Sequence, residues 1–250
     1  MKLIVNADDF GYSKGVNLGI IEAHREGIVT SATMMVNMPG FTHAAGLAKE
    51  NPGLGVGIHL VLDCGSPVSQ DVPSLIDEQG RFRRGQDHLS AANADQLRRE
   101  LKAQIETFLA SGLKLTHIDS HHHVHAHEAV LPIVLQLAEE YDLPVRNPWT
   151  LTPSEQVNWL QIKTTEGFMH RFYGDDLSVD TLISIFEDID KAGFSTVEMM
   201  THPAFLDQEV LMGSSYNHQR ARELQILTSP QIKEYVQKQK IQLVNFNQLG

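Results

Sequence analysis

Short β-branched apolar runs alternate with amphipathic stretches of helical length along this chain, and no other feature restricts its possible folds as much. KLIVNA (2–7) precedes GVNLGIIEAHREG (15–27), and SATMMVN (31–37) precedes FTHAAGLAKE (41–50). Strand then helix, repeated, is the pattern of a parallel sheet, because parallel neighbours need a crossover long enough to hold a helix. LGVGIHLVL (54–62), LTHIDS (115–120), LPVRN (143–147), TVEMMTH (196–202) and IQLVNFN (241–247) read as further strands. Helices are expected at 94–112, 128–140, 179–192, 217–227 and 230–239; the first of these carries Leu97, Leu101, Ile105 and Phe108 on one face and ends at Gly112. About seven strands with helices between them predict an α/β fold with parallel strands, and the even alternation favours a barrel over an open sheet. Nothing reads as a linker, so residues 1–250 are expected to form a single domain. The long irregular segment 63–92 interrupts the alternation, and a functional loop or lid is expected there.

Composition excludes several classes of partner. A formal net charge of -11 repels phosphate backbones, and RFRRG (81–85) is the only basic knot, so no nucleic-acid partner is expected. No apolar run reaches the length of a membrane span. Asp8 and Asp9 fall where a signal peptide would still be apolar, and the single cysteine, Cys64, cannot form an internal disulfide; both predict a cytoplasmic location.

In parallel barrels the reactive residues gather at the C-terminal ends of the strands. Here that rule selects Asp8 and Asp9 after the first strand, His59 late in the third, His121 onward after THIDS, Arg146 after LPV and His202 after TVEMM. Sequentially distant Asp and His residues would then converge on one rim, as a mononuclear metal site requires. Each residue also has a plainer reading. The carboxylates of NADDFG could cap the helix that begins near Ser13, or one could bind a metal while the other stays free as a base. His59, between apolar neighbours, could be a hydrogen-bonded core residue or a neutral imidazole ligand. Six of the thirteen histidines lie in THIDSHHHVHAHE (116–128), which is either a solvated polar loop or a metal-binding or catalytic segment. Strand alternation puts Asp119 and His121 on one side and points His122 elsewhere, with Asp119 able to fix an imidazole tautomer. Arg146 could be an exposed loop charge or could hold a carboxylate in a bidentate pose. His202, before Pro203, could be structural or, in a metal hydrolase, the general acid.

IVNADDFGYSKG, GIHLVL, THIDSHHHVH, TTEGFMHRFYG and EMMTHPAF, in this order, resemble the YdjC-type carbohydrate deacetylases over nearly the whole chain. The resemblance implies a deformed (β/α) barrel like that of polysaccharide deacetylases, and a divalent metal held by one Asp and two His. The matching positions are Asp9, His59 and His121, with His125 as the alternative to His121. Asp8 matches the catalytic base, while His202 and Arg146 correspond to the general acid and the arginine that orients the base. The implied reaction removes N-acetyl groups from amino-sugar oligosaccharides such as diacetylchitobiose. The resemblance also implies Mg²⁺ and a homodimer, whereas one Asp with two His suits Zn²⁺, Co²⁺ or Ni²⁺ better. Trp149, Trp159, Phe172 and Tyr173 are candidates for surfaces against sugar faces, and RFRRG for a sugar phosphate.

Overall fold

The computed structural model describes residues 1–147 and 162–249. Seven strands, β1 (Lys2–Phe10), β2 (Ser31–Met34), β3 (Gly55–Leu60), β4 (Ile118–Ser120), β5 (Gly167–Met169), β6 (Thr196–Thr201) and β7 (Gln242–Leu243), form one sheet in which every pairing is parallel. Their order is β4-β3-β2-β1-β6-β5, with β7 also paired to β1. One edge of β1 is shared: Lys2 and Leu3 pair with β7, and from Asn6 onward β1 pairs with β2. Helices α1 (Lys14–Arg25), α2 (Phe41–Glu50), α3 (Ala94–Ala110), α4 (Leu131–Glu140), α5 (Val179–Ala192), α6 (Gln208–Gly213), α7 (His218–Leu227) and α8 (Pro230–Lys238) complete the deformed barrel.

One expected strand is corrected and one unexpected strand appears. Residues 143–147 make only an isolated bridge, Val145 to Ile118, because Pro144 has no N–H with which to extend a ladder. Gly167–Met169 supplies a strand that was not expected, a three-residue run opened by glycine.

The interior of the barrel changes from apolar to polar along β1. Leu3, Val5 and Ala7 belong to the main core, whereas Ile4, on the other face, meets Val244 and Phe246 in a separate small cluster. Asn6 and Asp8 follow Ile4 on that face, and both are buried. Above Asn6 the strand departs from regularity. Ala7 pairs with Ala32 and Phe10 with Met34, so β1 uses three steps where β2 uses two. The extra residue is a bulge, and Asp9 occupies it with a left-handed φ of 68°. Consecutive strand residues normally face opposite sides; here both Asp8 and Asp9 line the same cavity.

The turn beyond the bulge depends on Gly11, whose φ is 97° and whose absent Cβ would lie 2.6 Å from the Met35 carbonyl oxygen. Gly11→Ala is expected to cost about 1–3 kcal/mol, read as a lower urea midpoint at unchanged slope. Ser13 Oγ caps α1 by accepting from the Val16 N–H. The capping duty that Asp8 and Asp9 could have taken therefore falls to Ser13, and both carboxylates are left for the cavity.

The 63–92 segment is pinned as a wall. Glu100 on α3 accepts from the Val68 and Ser69 N–H groups, Gln96 accepts from Ser74, and Val72, Leu75, Phe82 and Leu89 are buried in the core.

Candidate functional site

A cavity of about 830 Å³ opens at the C-terminal end of the sheet, and Asp8, Asp9, His59, His121 and His202 all line it. Arg146 lies beneath them, fully buried. Its Nη1 and Nη2 donate to the two oxygens of Asp8 at 2.7 and 2.6 Å, its Nε donates to Glu198 at 2.7 Å, and Nη2 lies 2.9 Å from Asp119. Burial alone would raise the Asp8 pKa, but the guanidinium holds that carboxyl well below the usual carboxylate range. Asn6 donates a further bond to Asp8 Oδ1, whereas among the described residues Arg146 alone donates to Oδ2.

His59 and Asp119 are direct partners across β3 and β4, so their side chains stand on one face. His59 Nδ1 lies 2.7 Å from Asp119 Oδ1. His59 Nε2 lies 3.4 Å from Asp9 Oδ1, and because Asp119 holds Nδ1, Nε2 is the nitrogen left to bind a metal once it gives up its proton. His121 Nδ1 approaches the same oxygen at 3.1 Å, and Asp9, His59 and His121 each offer a ligand atom, all within 4.8 Å of one another. Burial opposes a charged His59, yet Asp119, Asp9 and Asp8 raise its pKa to about 10. This corner therefore favours positive charge.

Three other groups could hold an ion among the described residues: Asp8, His59 and Asp119; His117, Asp119 and Glu198; and Asp63, His121 and His122. In the first two, Asp8, Asp119 and Glu198 already share a buried guanidinium, which an added cation would have to oppose. The third includes His122, whose side chain is 65 % exposed.

Alternation does not hold through the histidine segment. His122 and His123 have φ of 48° and 56°, and this local reversal turns both toward the cavity beside His121, contrary to the expectation that His122 points elsewhere. His122 Nδ1 lies 2.7 Å from Asp63. His125 is fully buried, takes part in no ligand group among the described residues, and bonds to Ser120 through Nδ1 and its backbone N–H. His117 stacks on Phe246, with ring centroids 3.7 Å apart.

His202 follows β6, two residues beyond Met200 and four beyond Glu198 on the face that lines the site. Its Nε2 lies 4.0 Å from Asp8 Oδ2. Burial lowers its pKa to about 4. Phe172 is corrected as a sugar-facing candidate, since it is fully buried in the core; Tyr173 is 51 % exposed and lines the cavity. Trp149 and Trp159 lie outside the described residues. Of RFRRG, Arg81 and Arg84 line the cavity, while Arg83 donates to the Ile76 carbonyl.

Several site residues escaped the strand-end rule. Arg220 on α7 donates to Asp9 Oδ2 at 2.7 Å and, through Nε, to the Tyr216 carbonyl. Glu223, one helical turn later, is fully buried beside His202. Glu198 could have been found from its period-two spacing to His202, and Asp63 from its place just after β3; for Arg220 and Glu223 the sequence held no comparable signal.

A family model described as YdjC-like protein matches residues 2–238. The chain belongs to the YdjC-like family. Among relatives, a carbohydrate deacetylase of Brevibacillus brevis is 68 % identical over 250 residues, covering 100 % of both chains. A chitooligosaccharide deacetylase of Proteus mirabilis is 41 % identical, over 99 % of this chain and 98 % of its own. A crystal structure of an Enterococcus faecalis V583 protein, 36 % identical, matches this YdjC-like chain with a TM-score of 0.93 over 100 % of this chain and 98 % of its own. A family 4 carbohydrate esterase from Streptomyces lividans, in complex with acetate, shares the fold at 11 % identity, with a TM-score of 0.53 over 97 % of this chain and 91 % of its own.

Proposed function

We propose that this protein is a metal-dependent hydrolase that removes an N-acetyl group from short amino-sugar oligosaccharides such as diacetylchitobiose, releasing acetate. One observation carries the reading: an Asp and two His converge beside a second carboxylate clamped by a buried arginine, all on one cavity. The names of the relatives support the substrate class. Asp9 Oδ1, His59 Nε2 and His121 Nδ1 would hold the ion, and their mixed oxygen and nitrogen donors fit Zn²⁺, Co²⁺ or Ni²⁺, while Mg²⁺ follows from the family resemblance. Bound there, a divalent ion supplies Lewis acidity to the acetyl carbonyl and lowers the pKa of the attacking water.

The chain's own residues do the rest. Asp8 Oδ2, which among the described residues accepts from Arg146 alone, takes the water proton, and Arg146 keeps the carboxylate ionised and fixed. His202, across 4.0 Å from that oxygen, gives a proton to the departing amine. Tyr173 offers an aromatic face to the sugar, and the wall at 63–92 limits its length. A cytoplasmic setting, supported by the lone Cys64, and a homodimer complete the reading.

Acetate release from diacetylchitobiose by metal-stripped and reloaded protein tests it. Chelation is expected to abolish release and reloading to restore it, with one ion per chain. His121→Ala is expected to lose the ion and His125→Ala to keep it. Phosphate release from sugar phosphates without acetate release from acetylated sugars would sink the reading.

A further inference from the structure

We propose that Glu223 is a positioning residue for proton delivery to the leaving amine: it holds the His202 imidazole by its far nitrogen, so that Nε2 faces the substrate. The inference rests on the deacetylase reading. Glu223 Oε2 accepts from the His202 backbone N–H at 2.5 Å, and Oε1 accepts from the Tyr216 hydroxyl at 2.6 Å. The same Oε1 lies 3.9 Å from His202 Nδ1, a buried atom with no hydrogen-bond partner among the described residues. The two ring nitrogens thus look toward two carboxylates, Asp8 on one side and Glu223 on the other. Tyr173 and Tyr216 stack on each other at 4.0 Å and meet the imidazole edge-on at 5.5 and 5.7 Å, which leaves the ring little freedom to turn.

The two carboxylates are not equivalent. Asp8 is clamped by Arg146 and stays anionic. Glu223 has no such clamp among the described residues, since Arg220 directs its hydrogen bonds to Asp9 and the Tyr216 carbonyl. Burial raises Glu223 to about 8 and lowers His202 to about 4, so near neutrality the pair retains one proton between them. Catalytic hydrogen bonds are often long without substrate and tighten in the reacting complex, and the 3.9 Å between Oε1 and Nδ1 is such a separation. As the C–N bond breaks, its electron pair takes the Nε2 proton, and the proton shared with Glu223 remains at Nδ1. The proton that Asp8 took from water then returns to Nε2, so no proton is gained or lost over the cycle.

Glu223→Gln keeps the shape of the side chain but carries neither the charge nor the shared proton. The test compares N,N′-diacetylchitobiose, whose amine must be protonated to leave, with 4-nitrophenyl acetate, whose phenolate leaves without a proton. On the amide, kcat is expected to fall about 10- to 100-fold, part of what a general acid contributes, with KM within about twofold. On the ester, rates are expected to stay within about threefold of wild type at equal metal content. Equal losses on both substrates, or no loss on the amide, overturn the inference. Tyr216→Phe, which removes only a hydroxyl, is expected to show a smaller loss confined to the amide and serves if the glutamine variant does not fold. A wild-type protein that releases no acetate overturns the deacetylase reading and this inference with it; an active wild type matched by Glu223→Gln overturns this inference alone.

Discussion

Asp8→Asn is expected to leave the metal bound and to lower kcat by about 10²–10⁴, the range for loss of a positioned proton acceptor. The substitution is nearly isosteric, so Arg146 keeps one oxygen to donate to and the Asp9, His59 and His121 corner is undisturbed. What disappears is a basic oxygen at the one point where both Arg146 and His202 face it. Metal titration and steady-state kinetics on the same preparation separate the two carboxylates. If the variant loses its metal instead, Asp8 and Asp9 exchange the roles assigned to them. KM should change little, because the Asp9, His59 and His121 corner and Tyr173, assigned to hold the substrate, are untouched.

Arg146→Met is expected to have the largest effect on stability. The guanidinium has no solvent exposure, serves Asp8, Asp119 and Glu198 together, and lies 5.1 Å over the Phe168 ring. Removing one partner of a buried charge network costs about 3–5 kcal/mol, because the remaining charges lose their compensation. For a domain of this size that corresponds to a fall in Tm of roughly 6–20 °C. The loss should depend on pH in a definite direction. Glu198 already has its pKa raised by burial to about 7, with Arg146 acting against that rise. Without Arg146 the buried carboxylates rise further. A carboxylate raised in the folded state binds protons that the unfolded chain does not, so its stabilising contribution is present at low pH and is lost as pH rises through the folded value. Thermal melts at pH 6 and pH 8 should therefore show the variant deficit growing with pH, and a deficit that shrinks would refute this account. Arg146→Lys, which keeps the charge but not the bidentate fork, is expected to fall between the two.

The strand-end rule worked where a side chain belongs to a strand or directly follows one. Asp8, Asp9, His59, His121 and His202 reach one cavity because parallel strands present their ends together. It failed where the backbone left the regular period. Left-handed conformations at His122 and His123 are uncommon for residues with a Cβ, so nothing in HHH announces that all three line the cavity. The bulge at Asp9 is the same kind of event: the pairing of two adjacent carboxylates in one site follows from a single extra residue that alternation does not predict. Arg220 and Glu223 were illegible for another reason. They come from α7, where a charged pair one turn apart reads as a solvated helix face until the packing of that helix over the site is known.

The pairing of β1 with β7 has a consequence for how the protein is made. Lys2 and Leu3 find Gln242 and Leu243 as partners, so the strand that carries Asp8 and Asp9 is made about 240 residues before this neighbour. At about 5–20 residues per second, synthesis separates those events by roughly 10–50 s. Arg146 and Arg220, which neutralise the two carboxylates in the finished barrel, also arrive late. During most of that interval the longest strand of the sheet can pair with β2 but not with β6 or β7, and its two acids stay in water until the counter-charges that let the interior close have been translated.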